Sequence, residues 1–163
     1  MYCDIVLADR NADLEKFAKK LGFSKIFFRE DFDKIGLVIS KDYDMDRKLV
    51  ESKKVKILVD PHVNSLRDNL HFRSSGLNQI ICKLMNKNNI LLGISLENIK
   101  DGVMLGRVKQ NIKLCRKYKV KILFFSFAKS KYEMRAREDM ISFLRAIGMN
   151  GKEAKEALSY LSK

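Results

Sequence analysis

Six short apolar runs, each followed by a segment with helical periodicity, restrict the fold of this chain more than any other feature. The runs are CDIVLA (3–8), KIFF (25–28), IGLVIS (35–40), VKILVD (55–60), NILLGISL (89–96) and KILFFSF (121–127). Runs that are apolar on both faces are typical of strands buried in a parallel sheet. The alternation of strand and helix therefore predicts an α/β fold.

Apolar stripes with the spacing of one helix face lie between and after these runs. They begin at Leu14, Leu77, Met104, Met140 and Ala154. Right-handed crossovers leave a (β/α) barrel or an open doubly wound sheet, and element order does not choose between them. Because a complete barrel needs at least about 200 residues, the barrel alternative would be shortened or partly open. We expect residues 1–163 to form a single domain.

Positive charge is concentrated after residue 60. The chain has a net charge of +13 and a pI near 9.7, and residues 61–163 hold 20 Lys and Arg against 8 Asp and Glu. No acid occurs between Asp101 and Glu133, a stretch that contains nine cations. A solvated helix with basic residues in its last turn explains only Arg116, Lys117 and Lys119 of these nine. The tract therefore predicts a face that binds a polyanion such as RNA or DNA.

Candidate RNA contacts come from this tract and from the turn after it. They are Arg107, Lys109, Lys113, Lys117, Lys121, Lys129, Lys131, Arg135 and Arg137. Lysines 113 and 117 lie one helical turn apart, so they can meet successive phosphates. Ser126 and Asp139 are candidates for a structural or anion-positioning role. If one helix contains Arg135 and Asp139, they share a face, and the sequence leaves open whether they form a buried structural pair or an RNA-contacting corner.

Motifs for catalysis are scarce, and no catalytic residue is predicted. Two histidines cannot supply a multi-histidine metal cluster, and no nucleophile elbow or glycine-rich phosphate loop occurs. An alternative is a stand-alone barrel hydrolase of phosphorylated substrates, using Asp9, Asp60, His62 and Glu97 at strand ends. The simpler interpretation makes Asp60-Pro61 a strand-end turn and Asp9 a helix N-cap.

Any RNA recognition is expected to depend on shape and backbone. Phosphate contacts carry no base specificity, and few aromatic residues are expected to be exposed as stacking platforms. A general nucleic-acid-binding protein without a specific complex is therefore a second alternative.

The chain has the features of a cytoplasmic protein without membrane association. Cys3, Cys82 and Cys115 are odd in number and widely spaced, which predicts neither disulfides nor a zinc site. The N-terminal residues lack the pattern of a signal peptide, and no apolar run approaches the roughly 20 residues that span a bilayer.

Two long stretches resemble one protein family. GLNQIICKLMNKNNILLGISLENI (76–99) and RVKQNIKLCRKYKVKILFFSFAKSKYEMRAREDMISFLRAIGM (107–149) are similar to archaeal ribonuclease P protein component 3, a family related to the thirty-kilodalton subunit of the eukaryotic enzyme. The most specific parts are KLMNKNNILLGISL, CRKYKV, and a pattern formed by Ser126, Ala128, Arg135, Asp139, Ile141 and Ser142.

The resemblance implies a fold and a role. The fold would be a TIM-like (β/α) barrel of the polymerase and histidinol phosphatase superfamily, shortened or distorted and without a working metal site. Family members often carry an Asp-His pair where this chain has Asn78 and Gln79. The chain would be a non-catalytic subunit of an RNA-based endonuclease that removes the 5′ leader of precursor tRNA, with no cofactor of its own and with magnesium held by the RNA. Its partners would be ribonuclease P RNA, a small RRM-like subunit, other ribonuclease P proteins and, through the holoenzyme, precursor tRNA.

Overall fold

Parallel strands form the framework of the protein. The computed structural model describes residues 1–65 and 67–162. All six predicted strands are present, at β1 (Cys3–Ile5), β2 (Lys25–Phe27), β3 (Leu37–Ile39), β4 (Ile57–Val59), β5 (Leu91–Ser95) and β6 (Ile122–Phe125). Every strand pairs in the parallel sense with at least one other strand. The α/β fold is therefore confirmed.

Helices connect successive strands and follow the last one. Their bounds are α1 (Ala12–Lys20), α2 (Phe32–Ile35), α3 (Tyr43–Glu51), α4 (Gln79–Lys87), α5 (Gly102–Tyr118), α6 (Arg137–Ala146) and α7 (Gly151–Ala157). Five of them begin at a side chain that accepts a hydrogen bond from a backbone amide of the first turn. These N-caps are Asn11, Asp42, Asn78, Asp101 and Asn150. The predicted cap Asp9 is wrong, because Asn11 caps α1.

The strands curve around an interior but do not close. One sheet has the order β3-β4-β5-β6 and a second pairs β1 with β2. Beyond β6, Phe127 N donates to Ile5 O and Leu7 N donates to Ala128 O, both at 2.9 Å, so β1 lies between β2 and β6. Residues 1–65 and 67–162 contain no pairing of β2 with β3. The structure therefore shows parallel sheets and no closed barrel.

Alternate side chains of the strands divide the core into an inner and an outer part. In β4, Leu58 packs in the cluster under the helices, whereas Ile57 and Val59 belong to the inner cluster. This two-residue alternation follows from the pleat. The inner cluster comprises Cys3, Ile5, Phe27, Leu37, Ile57, Val59, Leu123, Phe125 and Phe127.

Gly93 lets the inner cluster pack closely at β5. A Cβ atom at this position would lie 2.8 Å from Val59 Cγ2 and 3.1 Å from the ring of Phe125. The rings of Phe125 and Phe127 fill the adjoining space, with centroids 4.7 Å apart. The inward positions thus form a packed core rather than an open channel.

Asp4 joins the first strand to the segment after the last one. Its Oδ1 accepts from Ser126 N at 2.7 Å and Ile5 N at 2.9 Å, and its Oδ2 accepts from Ser126 Oγ at 2.7 Å. Both side chains are buried, so the contact between Ser126 and Asp4 belongs to the interior of the fold. Burial raises the pKa of Asp4 to about 6, and the hydrogen bonds from Ser126 oppose this rise.

We expect Asp4 to make stability depend on pH. Its pKa is raised on folding, so its favourable contribution is complete below pH 3.8 and is lost as the pH rises through about 6. Asp4→Asn replaces the carboxyl group with an uncharged amide, which still has one oxygen that accepts hydrogen bonds and one nitrogen that donates them. The stability of this variant relative to the parent should therefore rise between pH 4 and pH 7, by on the order of 2 kcal/mol.

Urea unfolding of the two proteins at several pH values measures this effect. Asp13→Asn, at an exposed position in α1, is the matched control for the loss of one carboxylate. An Asp4→Asn difference that stays constant from pH 4 to pH 7 would show that Asp4 is not the titrating group.

The sequence analysis also made predictions about the cysteines and about membrane-spanning segments. Cys3, Cys82 and Cys115 are buried free thiols. Among the described helices, none combines the length and the apolar character needed to cross a bilayer.

Candidate nucleic-acid interface

Helix α5 presents two different faces. Val108, Ile112 and Cys115 are buried at helical spacing, which fixes the face that packs on the sheet. Asp101 Oδ1 caps the helix by accepting from Met104 N at 2.8 Å. The opposite face is exposed and carries the central part of the basic tract.

Three exposed lysines form a row along this face. Lys109, Lys113 and Lys117 follow one another at intervals of four residues, about 6 Å along the axis. We call them the α5 basic row. None of the three forms an ion pair within residues 1–65 and 67–162, so their charges are available to a ligand. Arg116, the residue before Lys117, instead forms an ion pair with Glu153 in α7, with Arg116 Nη2 2.7 Å from Glu153 Oε2.

Arg107 does not belong to this surface. Its side chain is fully buried, its Nε donates to Asp68 Oδ1 at 2.7 Å, and its Nη1 donates to the carbonyl oxygens of His62 at 2.9 Å and Ser65 at 2.7 Å. The guanidinium hydrogen bond also lowers the pKa of Asp68. The predicted RNA contact at Arg107 is therefore wrong, because the Arg107 side chain is directed into the protein, at the loop after β4.

A residue that the sequence analysis missed extends the basic row. The guanidinium of Arg73 lies against α5, where a Cβ on Gly106 would be 2.5 Å from Arg73 Nε. Gln110 Nε2 donates to Arg73 O at 2.9 Å and fixes the loop there. A glycine inside a helix is a sign of close approach by another group, and Gly106 was the one available signal for this contact.

The cations near the carboxyl end of β6 form a separate group. Lys129 Nζ lies 3.2 Å from Glu97 Oε1 and is partly neutralised. Lys131 is exposed beside the ring of Tyr132. Arg137 contacts Glu138 and lies 4.6 Å from the centroid of the Tyr2 ring.

Lys121 is a third, isolated position. It precedes β6 and therefore lies at the opposite end of the strand from Lys129. Its Nζ is 4.6 Å from the centroid of the Tyr160 ring. The structure thus does not bring all the candidate RNA contacts together.

Arg135 and Asp139 do not form the buried structural pair, which was one of the two alternatives that the sequence left open. Helix α6 begins at Arg137, so Arg135 lies outside it, and the four-residue spacing does not place both side chains on one helix face. Both are exposed, and no ion pair joins them in the part of the chain that the structure describes. Arg135 Nη1 instead donates to the carbonyl oxygens of Tyr132 at 3.1 Å and Met134 at 3.0 Å. Asp139 lies in the first turn of α6, where the positive end of the helix dipole stabilises a carboxylate.

The residues of the hydrolase alternative are mostly engaged in structural contacts. Asp60 is buried, with its carboxylate bonded to Ser95 N at 2.8 Å, to Ser95 Oγ at 2.5 Å and to Asn98 Nδ2 at 2.7 Å. Its backbone has a φ of 53°, as the strand-end turn before Pro61 requires. Burial raises the pKa of Asp60 and lowers that of His62.

His62 is also enclosed. It is fully buried, its Nε2 lies 3.3 Å from Asn98 O, and its Nδ1 lies 4.0 Å from Asp60 Oδ1. Glu97 is occupied by Lys129, and Asp9 is exposed. Among the described residues, no group of three or more His, Cys, Asp and Glu side chains is arranged to hold a metal ion.

Together these features define an α/β protein whose curved parallel framework displays the α5 basic row, three lysines without ion pairs among the described residues. Comparison with known proteins then shows which members of this class the chain is similar to. Ribonuclease P protein component 3 of Methanosarcina mazei is 33% identical over 112 residues, which cover 65% of this chain and 47% of that protein. The protein of the same name from Methanosarcina acetivorans is 32% identical over 108 residues, covering 63% and 45%. That of Methanococcus vannielii is 24% identical over 164 residues, covering 97% and 64%.

The similarity to archaeal ribonuclease P protein component 3 is therefore confirmed. The chain spans about half the length of the first two of these relatives. No family model matches the chain. A chain in the cryo-EM structure of archaeal ribonuclease P with mature tRNA has a TM-score of 0.64 at 18% identity, covering 98% of this chain and 78% of that one. At this identity the structural likeness shows the fold alone.

Proposed function

We propose that this chain is an RNA-binding protein subunit of ribonuclease P, which supports RNA-catalysed endonucleolytic removal of the 5′ leader from precursor tRNA. The similarity to archaeal component 3 proteins supports the choice of complex. Cleavage belongs to the RNA and its magnesium, and the chain positions the RNA without a cofactor of its own.

The unpaired α5 basic row is the observation that carries this proposal. Lys109, Lys113 and Lys117 lie on one exposed helix face without counter-charges among the described residues. Such a row attracts a polyanion and contacts its phosphates. The buried hydrogen bonds of Asp60 and the enclosure of His62 favour this role over the stand-alone hydrolase.

The remaining parts of the proposal concern assembly and fold. The partners are ribonuclease P RNA, a small RRM-like subunit, other ribonuclease P proteins and, through the holoenzyme, precursor tRNA in the cytoplasm. We infer one domain with a shortened (β/α) barrel that is open between β2 and β3. The spatial order β2-β1-β6-β5-β4-β3 supports this description, because it is the order of a barrel opened between two sequential strands.

Reconstitution tests the function directly. The purified chain with magnesium or manganese alone should not cleave precursor tRNA. Added with its protein partner to the cognate ribonuclease P RNA, it should increase 5′-leader removal. Both results are expected because the RNA carries out the cleavage, whereas the α5 basic row positions the RNA by contacting its phosphates.

Two outcomes would contradict the proposal. The first is RNA-free cleavage that disappears in a folded His62→Ala variant, which would assign the chemistry to the protein. The second is binding to the cognate RNA no tighter than to unrelated RNA of equal length, with no stimulation, which would leave a general nucleic-acid-binding protein.

A further inference from the structure

A cavity lies beside the α5 basic row, where residues 64–65 and 72–79 meet the N-terminal ends of α3 and α4. Its volume is about 520 Å³, within the range of small-molecule sites. Tyr43, Phe72, Leu77 and Leu114 supply its apolar walls. The cavity therefore suits a flat, largely apolar group.

Phe72 stands at this cavity with most of its ring in solvent. It is 64% exposed, and Leu70, two residues earlier, is 93% exposed. Exposed apolar side chains grouped in this way mark interaction sites. The ring offers a stacking face that the sequence analysis did not anticipate.

The charges around the cavity favour an anionic partner. Arg73 follows Phe72 and lines the cavity; it forms no ion pair within residues 1–65 and 67–162, although its charge helps to lower the pKa of the nearby Asp68. Asp42 is the acid in the lining, and its carboxylate is used as the N-cap of α3, accepting from Met45 N at 2.8 Å. The basic row continues from this point, since Gln110 lines the cavity and Lys113 follows it by three residues.

Two amide side chains at the cavity retain acceptor groups. Gln110 donates through Nε2 to Arg73 O and Ser75 Oγ, and Asn64 donates through Nδ2 to Ser40 Oγ. Their side-chain oxygens accept no hydrogen bond from the residues that the structure describes. Such oxygens can accept from the amino groups of nucleobases.

We propose that this cavity binds one unpaired nucleobase of an RNA strand, stacked on Phe72, while Arg73 and the α5 basic row hold the adjoining phosphates. Aromatic stacking next to a cationic track is the arrangement by which proteins bind single-stranded nucleic acid. An apolar protein segment would also fit the walls, but it would not explain the unpaired cations. The inference rests on the proposed RNA-binding function and adds a preference for single strands.

Fluorescence titration of a short unstructured RNA that contains one 2-aminopurine tests this inference, with an RNA duplex of the same length for comparison. Phe72→Ala should weaken single-strand binding by at least about fivefold, since a stacked base contributes strongly. Its salt slope should stay unchanged, because no phosphate contact is lost. Phe72→Tyr should restore binding, and Leu70→Ala is the matched control with an exposed apolar residue outside the cavity.

The outcomes separate this inference from the function on which it rests. If Phe72→Ala leaves single-strand affinity unchanged while Lys113→Glu weakens it, the base-binding site is wrong and RNA binding stands. If neither change affects RNA, both are wrong. If Phe72→Ala affects only capture of the RRM-like protein partner, the cavity is a protein-docking site and the nucleobase proposal is overturned.

Discussion

Replacing Arg107 with methionine should lower the free energy of unfolding by about 1 to 3 kcal/mol, the cost of leaving buried carbonyl oxygens without a donor, although the basic tract around it is mostly exposed. Methionine fills part of the space but donates no hydrogen bond. The carbonyl oxygens of His62 and Ser65 would lose the guanidinium donor, whereas Asp68 Oδ1 would keep its hydrogen bond from Ser74 N. For a chain of this length the change corresponds to a fall in melting temperature of about 2 to 12 °C.

Thermal melts and urea unfolding measure this loss. Lys109→Met, an equal substitution at an exposed position of the same helix, is the control and should change stability by no more than about 0.5 kcal/mol. Equal melting temperatures for the two variants would mean that Arg107 does not fasten the loop after β4.

Reversing the charge of Lys113 and Lys117 together should reduce RNA affinity and its dependence on salt. Each lost phosphate contact lowers the slope of log affinity against log salt by about 0.9 for a duplex and about 0.7 for a single strand. The double variant Lys113→Glu, Lys117→Glu should therefore lose about 1.4 to 1.8 units of slope. Filter binding across a salt series gives the slope, and far-UV circular dichroism should barely change.

A second lysine pair provides the control for net charge. Lys16 and Lys20 are exposed in α1 with the same four-residue spacing. Lys16→Glu, Lys20→Glu changes the total charge equally but leaves α5 intact. If both double variants lose the same affinity, the effect comes from overall charge and the α5 basic row is only a solvated face.

The strands were predictable because their signal is local. Runs such as VKILVD and KILFFSF are apolar on both faces, and burial on both sides of a parallel sheet requires this pattern. The stripes of α1, α4, α5, α6 and α7 were recognisable for the same reason. Helix α3 was not, because YDMDRKLVE is mostly charged and buries only Asp46 and Val50.

Barrel closure could not be predicted from local patterns. Whether β2 meets β3 depends on how the short connection through α2 directs the chain, and no periodicity in either strand encodes that. Phe32 of α2 stacks on Phe127, with ring centroids 5.7 Å apart, which places the connection against the inner cluster.

The candidate site was predictable only where side-chain exposure follows helix geometry. Lys113 and Lys117 lie opposite the apolar stripe, so their exposure followed from the sequence. The burial of Arg107 and the start of α6 after Arg135 depend on contacts with distant segments. The exposure of Phe72 is equally non-local, since composition alone makes an aromatic residue a core residue.

The contact between Asp4 and Ser126 also affects the order of folding. These residues are separated by 122 positions in the chain, whereas β3 and β4 are joined through one short helix. Contacts between distant segments form slowly, because closing a long loop has an entropic cost before the contact stabilises it. During synthesis, β3, β4 and β5 are therefore able to pair while β1 still lacks β6 on one side. The side of β1 that faces away from β2 is satisfied only when the segment after β6 arrives, so the ribosome-bound chain retains one unpaired strand edge until that segment has been synthesised.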